Sequence, residues 1–250
     1  MASGATGSRP YMELVAELRR KFLEKHYASE PSCYDARDIS RVKSDDLFVQ
    51  QYLVGQDGNV DKAFKLMVEA LVWRQEFGIN DISLKDVPEE ILKSGYLYTY
   101  GKDKNGAKLV FITVAKFIKG DEEKLLGYKK LLAYTFETIQ REKSGQRLSL
   151  VNNCKDAGFS NVDTDFRNFV SFVQSTAYPD LLENAYMLSL PILLQGIWKI
   201  FQIFIGSRLS SKYIFTTAEE LSPRYIDKDQ LPLAYGGPSF EYKYPSEEKT

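Results

Sequence analysis

A chain of 250 residues, 44% hydrophobic and 27% charged, has ordinary globular composition and is long enough for one large core or for a small module beside a medium one. Its 33 basic and 34 acidic side chains leave a formal charge of −1, which argues against a nucleic-acid binder with its basic excess. Cys33 and Cys154 supply no metal-binding spacing and no disulfide framework. The small, polar opening "MASGATGSRP" lacks a signal-peptide core, so it reads as a disordered tail of a protein facing the reducing cytoplasm.

Residues 11–27 are helical by period, with Leu14, Leu18 and Phe22 at i, i+4, i+8. "SDDLFVQQYLVG" (44–55) opens on a capping signal and stops at Gly55, a second short helix, and residues 60–78 form a third that stops at Gly78. "VPEEILKSG" predicts a short helix between Pro88 and Gly95. The β-rich runs "YLYTY" and "KLVFITV" follow, joined by "GKDKNGA" with its Asn-Gly turn signal. Next come a helix over 122–143, an apolar run at 147–153, a helix over 163–177 and a buried-strand candidate, "AYMLSL", at 185–190. "LPILLQGIWKIFQIFIG" (190–206) and a last strand, "KYIFT" (212–216), complete the pattern. Strands alternating with helices after an all-helical start predict an α/β fold: a mixed, mostly parallel sheet flanked by helices. The expected division is a helical module over 1–85 and an α/β domain over 86–250.

The segment 190–206 falls short as a membrane span. Seventeen residues at about 1.5 Å each give roughly 25 Å against a hydrocarbon core of about 30 Å, and Pro191, Gln195, Lys199 and Gln202 interrupt it. Gln195, Lys199, Gln202 and Gly206 form one narrow polar stripe. Leu194, Ile197, Phe201 and Phe204 lie opposite, with Trp198 and Ile203 on the flanks. The apolar surface is wider than one core-facing side requires.

Catalytic arrangements are missing from the pattern. In "GKDKNGAK" Ala107 stands where a phosphate loop needs its Lys, so the stretch reads as a hairpin turn. "GFSN" (158–161) lacks the second Gly of a nucleophile elbow. The single histidine, His26, lies in the first amphipathic helix, and Asp163 and Asp165 sit where carboxylates favour a helix start. The expectation is a non-enzyme with no metal and no cofactor. An excess of apolar and aromatic surface on an α/β frame remains, which suits either a plain core or the enclosure of an apolar ligand.

Several motifs in fixed order resemble the CRAL-TRIO family of lipid-binding and lipid-transfer proteins. They are "VDKAFKLMVEALVWRQEFGI" (60–79), "GYLYTYGKDKNGAKLVFITV" (95–114), "AYPDLL" (177–182), "SSKYIF" (210–215) and "LPLAYGGP" (231–238). Two stretches, "YDARDISRVKSDDLFVQQYL" and "YLYTYGKDKNGAKL", look most like the CRAL-TRIO domain of motile sperm domain-containing proteins, tethers anchored in the endoplasmic reticulum. The chain departs from the family pattern at Asn153, where many members carry Asp, and at Ser189-Leu190-Pro191 and Gln51–Gly55.

The resemblance implies a lipid cavity closed by a mobile gate helix over 190–206 and lined by Phe111, Phe169, Phe172, Leu188, Leu194, Ile197, Phe201 and Phe204. It implies Asp180 and Lys212 as headgroup residues, by motif with inositol-lipid transfer members. Trp198, Lys199 and Ile203 would face the membrane when the gate opens. From Asn184 to Ala218 there is no acidic residue, while Lys199, Arg208 and Lys212 favour an anionic leaflet. The implied protein is a monomer whose partners are a lipid and, reversibly, a membrane surface. It is cytoplasmic and peripheral, at the endoplasmic reticulum or lipid droplets if it is one domain of a longer tether. The alternative class is a non-transferring surface-binding or protein-interaction module with a vestigial cavity.

Overall fold

The computed structural model describes residues 11–143 and 145–244. The opening "MASGATGSRP", expected to be disordered, and the charged tail "PSEEKT" lie outside the described residues. The chain divides into two compact units, Met1–Asn80 and Asp81–Thr250, against an expected junction after residue 85.

The first unit is helical: α1 (Tyr11–Phe22) running on into a π turn, α2 (Ala36–Ser44), α3 (Asp46–Gly55) and α4 (Val60–Phe77). Each of the last three starts on a side chain that accepts a free backbone N–H: Asp35 from Arg37, Asp45 from Phe48 and Asn59 from Lys62. The α2 helix has no counterpart in the expected elements. Its inward face offers only Ile39 and Val42 as apolar residues, with Asp38 completing it, so the hydrophobic period is too short to read. Asp38 is buried because Arg74 of α4 is buried opposite it. The guanidinium donates from Nε at 2.9 Å and Nη2 at 2.8 Å to the two carboxylate oxygens, and Asn80 adds a third donor at 3.0 Å. Leu18, Phe22, Val42, Tyr52, Met67 and Leu71, all fully buried, pack the rest of this core.

The second unit holds α5 (Glu89–Ser94) and the strands β1 (Leu97–Lys102), β2 (Lys108–Thr113), β3 (Leu148–Asn153), β4 (Leu182–Leu188) and β5 (Tyr213–Thr216). The helices α6 (Glu122–Glu142), α7 (Thr164–Phe172, then a π turn to Ala177) and α8 (Gln195–Ser210) connect strands β2 to β5, and a short kinked α9 (Ala218–Arg224) follows. The strands lie in sequence order. β1 and β2 are antiparallel, and every later pair is parallel. Right-handed crossovers between strands that always step the same way put all three connecting helices on one face. The mixed, mostly parallel α/β architecture and the helical start are those expected from the sequence.

The register defines the two faces. Phe111, Val151, Tyr186 and Ile214 align across the sheet on one side; Ile112, Asn152, Met187 and Phe215 align on the other. The first row is covered by the C-terminal segment: Leu221, Ile226, Leu231 and Tyr235 pack on it, and Phe111 stacks between Tyr98 and Tyr235. That segment turns back at "YGGP", where a Cβ on Gly237 would stand 1.6 Å from the Leu231 carbonyl oxygen. The hairpin between β1 and β2 is organised by Asp103. Its buried carboxylate accepts from the N–H of Asn105 and Ala107 and from the Ser149 hydroxyl at 2.6 Å, so the Gly-x-Asp motif is a structural turn.

The buried ion pair of the first unit makes a direct prediction. Asp38→Ala strands a guanidinium away from water and should cost about 3–5 kcal/mol in urea unfolding of the whole chain. Asp38→Leu combined with Arg74→Met should recover most of that loss, because it removes both charges. A single variant as stable as wild type would show that the pair is hydrated.

Candidate functional site

The helical face of the sheet encloses a cavity of about 200 Å³. Its floor is Ile112, Leu150, Asn152, Met187 and Tyr213. One wall is Leu132 of α6 and the row Phe166, Arg167, Val170 and Gln174 of α7, and Leu194, Ile197, Trp198 and Phe201 close it from the side of α8. The α7 row belongs to the spacing 163, 166, 167, 170, 174, the inward stripe of one helix face.

α8 and the turn before it are unusual for a connecting helix. Of the helical stretch Ile192–Ser210, long and apolar enough by length and composition to cross a membrane, only 17% is buried. Ile192 is 85% exposed and Ile203 79%, and Leu193, Ile200 and Phe204 are exposed as well. Regular helix ends at Gly206, whose φ of 75° and ψ of 169° belong to a region open in practice only to glycine. The unbroken part, from Gln195 to Ile205, covers roughly 16 Å at about 1.5 Å per residue, about half a hydrocarbon core.

Several expected positions are corrected. Phe111 and Leu188 lie on the opposite face of the sheet, in the aromatic layer under the C-terminal segment. Strands buried on both faces read as continuous apolar runs, so their sequence does not say which alternate residues meet a cavity. Phe169 and Phe172 are not among the lining residues. Phe169 lies beneath the Lys129 ammonium of α6, and the neighbouring turn positions, Phe166 and Val170, face inward instead. Phe204 is 58% exposed, with the Arg167 guanidinium 5.5 Å from its ring centre. Trp198, expected toward the membrane, lines the cavity and packs on Phe201, Tyr213 and Phe215 with ring centres 5.8, 4.7 and 5.2 Å away. The buried side of α8 is thus rotated toward Trp198 and away from Phe204. A helix apolar nearly all round does not fix its own rotation, and the aromatic residues of β5 do so here. Leu194, Ile197 and Phe201 line the cavity, and Lys199 and Ile203 face solvent.

Asp180 and Lys212 come together in one charge cluster at the start of β4 and β5, and neither is among the residues that line the cavity. Arg147 donates to Asp180 at 2.9 Å and to Glu183 at 3.0 Å, and Arg208 lies 3.5 Å from Asp180. Lys212 donates to the Leu182 carbonyl, and burial lowers its pKa below the ordinary lysine value. These charges are engaged with one another and with the backbone, outside the residues that line the cavity.

The remaining polar residues of the cavity divide sharply. Asn161 donates to the carbonyls of Ala115 and Phe117, and Asp163 caps α7 through the Phe166 N–H. Gln174 accepts from the Tyr213 hydroxyl at 2.7 Å, yet its Nε2, like Nε of Arg167, is buried with no partner. Burial pushes the Cys154 thiol up to about 12, which makes it inert as a nucleophile at neutral pH. Among the described residues no three His, Cys, Asp or Glu side chains gather to hold a metal. His26 lies between the rings of Tyr34 and Phe64 in the first unit.

The CRAL/TRIO domain model matches residues 92–237. Among curated proteins, a CRAL-TRIO domain-containing protein of Schizosaccharomyces pombe is 25% identical over 79% of this chain and 59% of its own length. Patellin-6 of Arabidopsis thaliana is 24% identical over 86% of this chain and 57% of its own. The phosphatidylinositol transfer protein SFH5 of Ajellomyces capsulatus is 23% identical over 76% and 46%. The chain therefore spans about half the length of these relatives. A crystal structure of Sfh5 superposes with a TM-score of 0.67 at 14% identity, covering 95% of this chain and 91% of that one, a likeness of fold. With the family model spanning the whole sheet and its helices, the chain belongs to the CRAL/TRIO domain family.

Proposed function

We propose that the second unit binds a hydrophobic ligand, a lipid, in the cavity beneath α8 and exchanges it at membrane surfaces without covalent chemistry. The carrying observation is the pairing of a mostly apolar cavity with a covering helix that leaves Ile192, Leu193, Ile200, Ile203 and Phe204 in water. Such a patch on a folded protein marks a surface that meets an apolar partner. Two further loops at the same end of the sheet add exposed Ile118, after β2, and Phe159, after β3. Lys199 and Lys155, both exposed, suit this rim to an anionic leaflet. α8 is the gate: it swings at Gly206, laying its outer residues in the membrane interface while the cavity opens. The phosphatidylinositol transfer activity named for one relative supports a lipid as the ligand. The narrower reading, a lipid-binding domain of a motile sperm domain-containing tether, rests on the motifs at 34–53 and 96–109, and with it the endoplasmic reticulum or lipid droplets as the place of action.

A second reading is a membrane-surface module that does not transfer. It is favoured by the size of the cavity, about 200 Å³, below the roughly 300–1,000 Å³ of small-molecule sites. Organic extraction and native mass spectrometry of the purified protein separate the two: a stoichiometric lipid supports transfer, and an empty protein that binds liposomes supports the surface module.

Two predictions follow from the gate. Full burial of Ile192 and Ile203 in an interface contributes about 1.5–3 kcal/mol each, less where the interface stays wet. Ile192→Asp with Ile203→Asp should therefore lower liposome affinity by roughly one to three decades at an unchanged melting temperature, whereas Phe201→Asp should empty the cavity. Wild-type binding by the double variant would remove this surface from the membrane. The second concerns Cys154. With its pKa near 12, only about one molecule in ten thousand carries the thiolate at pH 8, so iodoacetamide should label it very slowly. Anionic liposomes, by opening α8 and hydrating the cavity, should speed labelling of Cys154 but not in the Ile192/Ile203 variant, read by peptide mass. An unchanged rate would mean that α8 stays closed on the membrane.

A further inference from the structure

The cavity contains two polar atoms that the protein does not satisfy. Nε of Arg167 and Nε2 of Gln174 are both buried without a hydrogen-bond partner, and both side chains line the same cavity. Leaving a buried donor unpaired is costly, and such atoms are rare in native interiors. Gln174 is only 1% exposed, and the Tyr213 hydroxyl holds its amide oxygen, so the amide nitrogen is the atom left over. The Arg167 guanidinium has a long contact to Asn168, at 3.4 Å, and the face of Phe204; no carboxylate among the described residues pairs with it. Elsewhere the same chain pairs its buried arginine fully, as Arg74 with Asp38 shows.

An arginine carries only donors, so what completes Arg167 must accept, and an anionic oxygen does so best. The two residues are seven apart on one face of α7 and its terminal turn, roughly 10 Å along the axis. The surfaces between them and opposite, Val170, Leu150, Met187 and Phe201, are apolar. We infer that the ligand of this cavity is an amphiphile with an anionic oxygen head at Arg167 and a second acceptor oxygen partway along its apolar body at Gln174. This rests on the reading of the cavity as a lipid site and goes beyond it by naming the polar chemistry of the lipid. It also moves the headgroup contact away from Asp180 and Lys212 to the mouth of the cavity beside α8.

The test uses the delipidated 250-residue chain and three probes of equal chain length: octadecanol, octadecanoate and a mid-chain hydroxyoctadecanoate, each titrated by displacement of a fluorescent fatty acyl probe. Wild type should bind octadecanoate about tenfold more tightly than octadecanol, one decade for a charge-assisted hydrogen bond, and the hydroxy acid about threefold more tightly again. Arg167→Gln should collapse the acid-to-alcohol ratio to about one and keep the hydroxyl gain. Gln174→Leu should do the reverse. Arg167→Lys, which keeps the charge, should restore part of the acid preference. Equal binding of acid and alcohol by wild type, or ratios that neither variant changes, overturns the inference while leaving the cavity a lipid site. Failure of all three probes to bind overturns the lipid site and the inference with it.

Discussion

The unequal covering of one sheet governs the second unit. Five strands in sequence order, four of them parallel, send every crossover to the same side. The other side is left to the C-terminal segment, which seals it with stacked aromatic rings and a turn so tight that Gly237 has no room for a side chain. One face is therefore dry and filled. The other is covered by three helices of different character, and the cavity lies where the least buried of them, α8, meets the sheet. Fold and site are two results of one topological constraint.

The buried charges of this molecule are largely paired within the protein itself. Arg74 and Asp38 are almost fully buried, yet the guanidinium donates to both carboxylate oxygens, at 2.9 and 2.8 Å. Asp103 is likewise buried and fully used by its turn and by Ser149. Asp180, Glu183, Arg147 and Arg208 neutralise one another at the start of the parallel strands. Arg167 Nε and Gln174 Nε2 are unpaired and line an apolar cavity, whereas the Tyr34 hydroxyl, also without a hydrogen-bond partner, is buried in the core of the first unit. Two donors left unmet inside an apolar cavity are what the proposed ligand would satisfy.

α8 joins the two themes. Its inner residues Phe201, Ile205 and Leu209 are buried and pack as a core helix would, while Ile203 and Phe204 stand in water on the same helix. A permanently packed helix gains nothing from those outer side chains, and a spanning helix would not break at Gly206. A helix that meets the protein core on one side and a bilayer interface on the other at different moments needs both surfaces. It also needs a residue at its end that tolerates a change of backbone direction. The Arg167 guanidinium lies 5.5 Å from the ring centre of Phe204, on the outer face of that helix.

Much of this was legible in the sequence. The alternation of strands and helices, the capping Asp and Asn residues, the Asn-Gly turn and the ordered motifs from 60 to 238 identify the architecture, because local periodicity and turn chemistry are properties of neighbouring residues. The excess of apolar surface over 190–206 was equally plain. Side-chain direction was not. Phe111 and Leu188 lie in strands apolar on both faces, so only the sheet's register and the C-terminal cover decide that Ile112 and Met187 look into the cavity instead. The rotation of α8 that turns Trp198 in and Phe204 out was set by Tyr213 and Phe215, residues of another element. The helix over Ala36–Ser44 escaped notice because its buried face is completed by a carboxylate whose partner lies 36 positions away. The sequence by itself determined which segments fold and what they are made of. Tertiary packing alone decided which atoms meet, because burial on both faces, an all-round apolar helix and a long-range ion pair each leave no periodic trace in the chain.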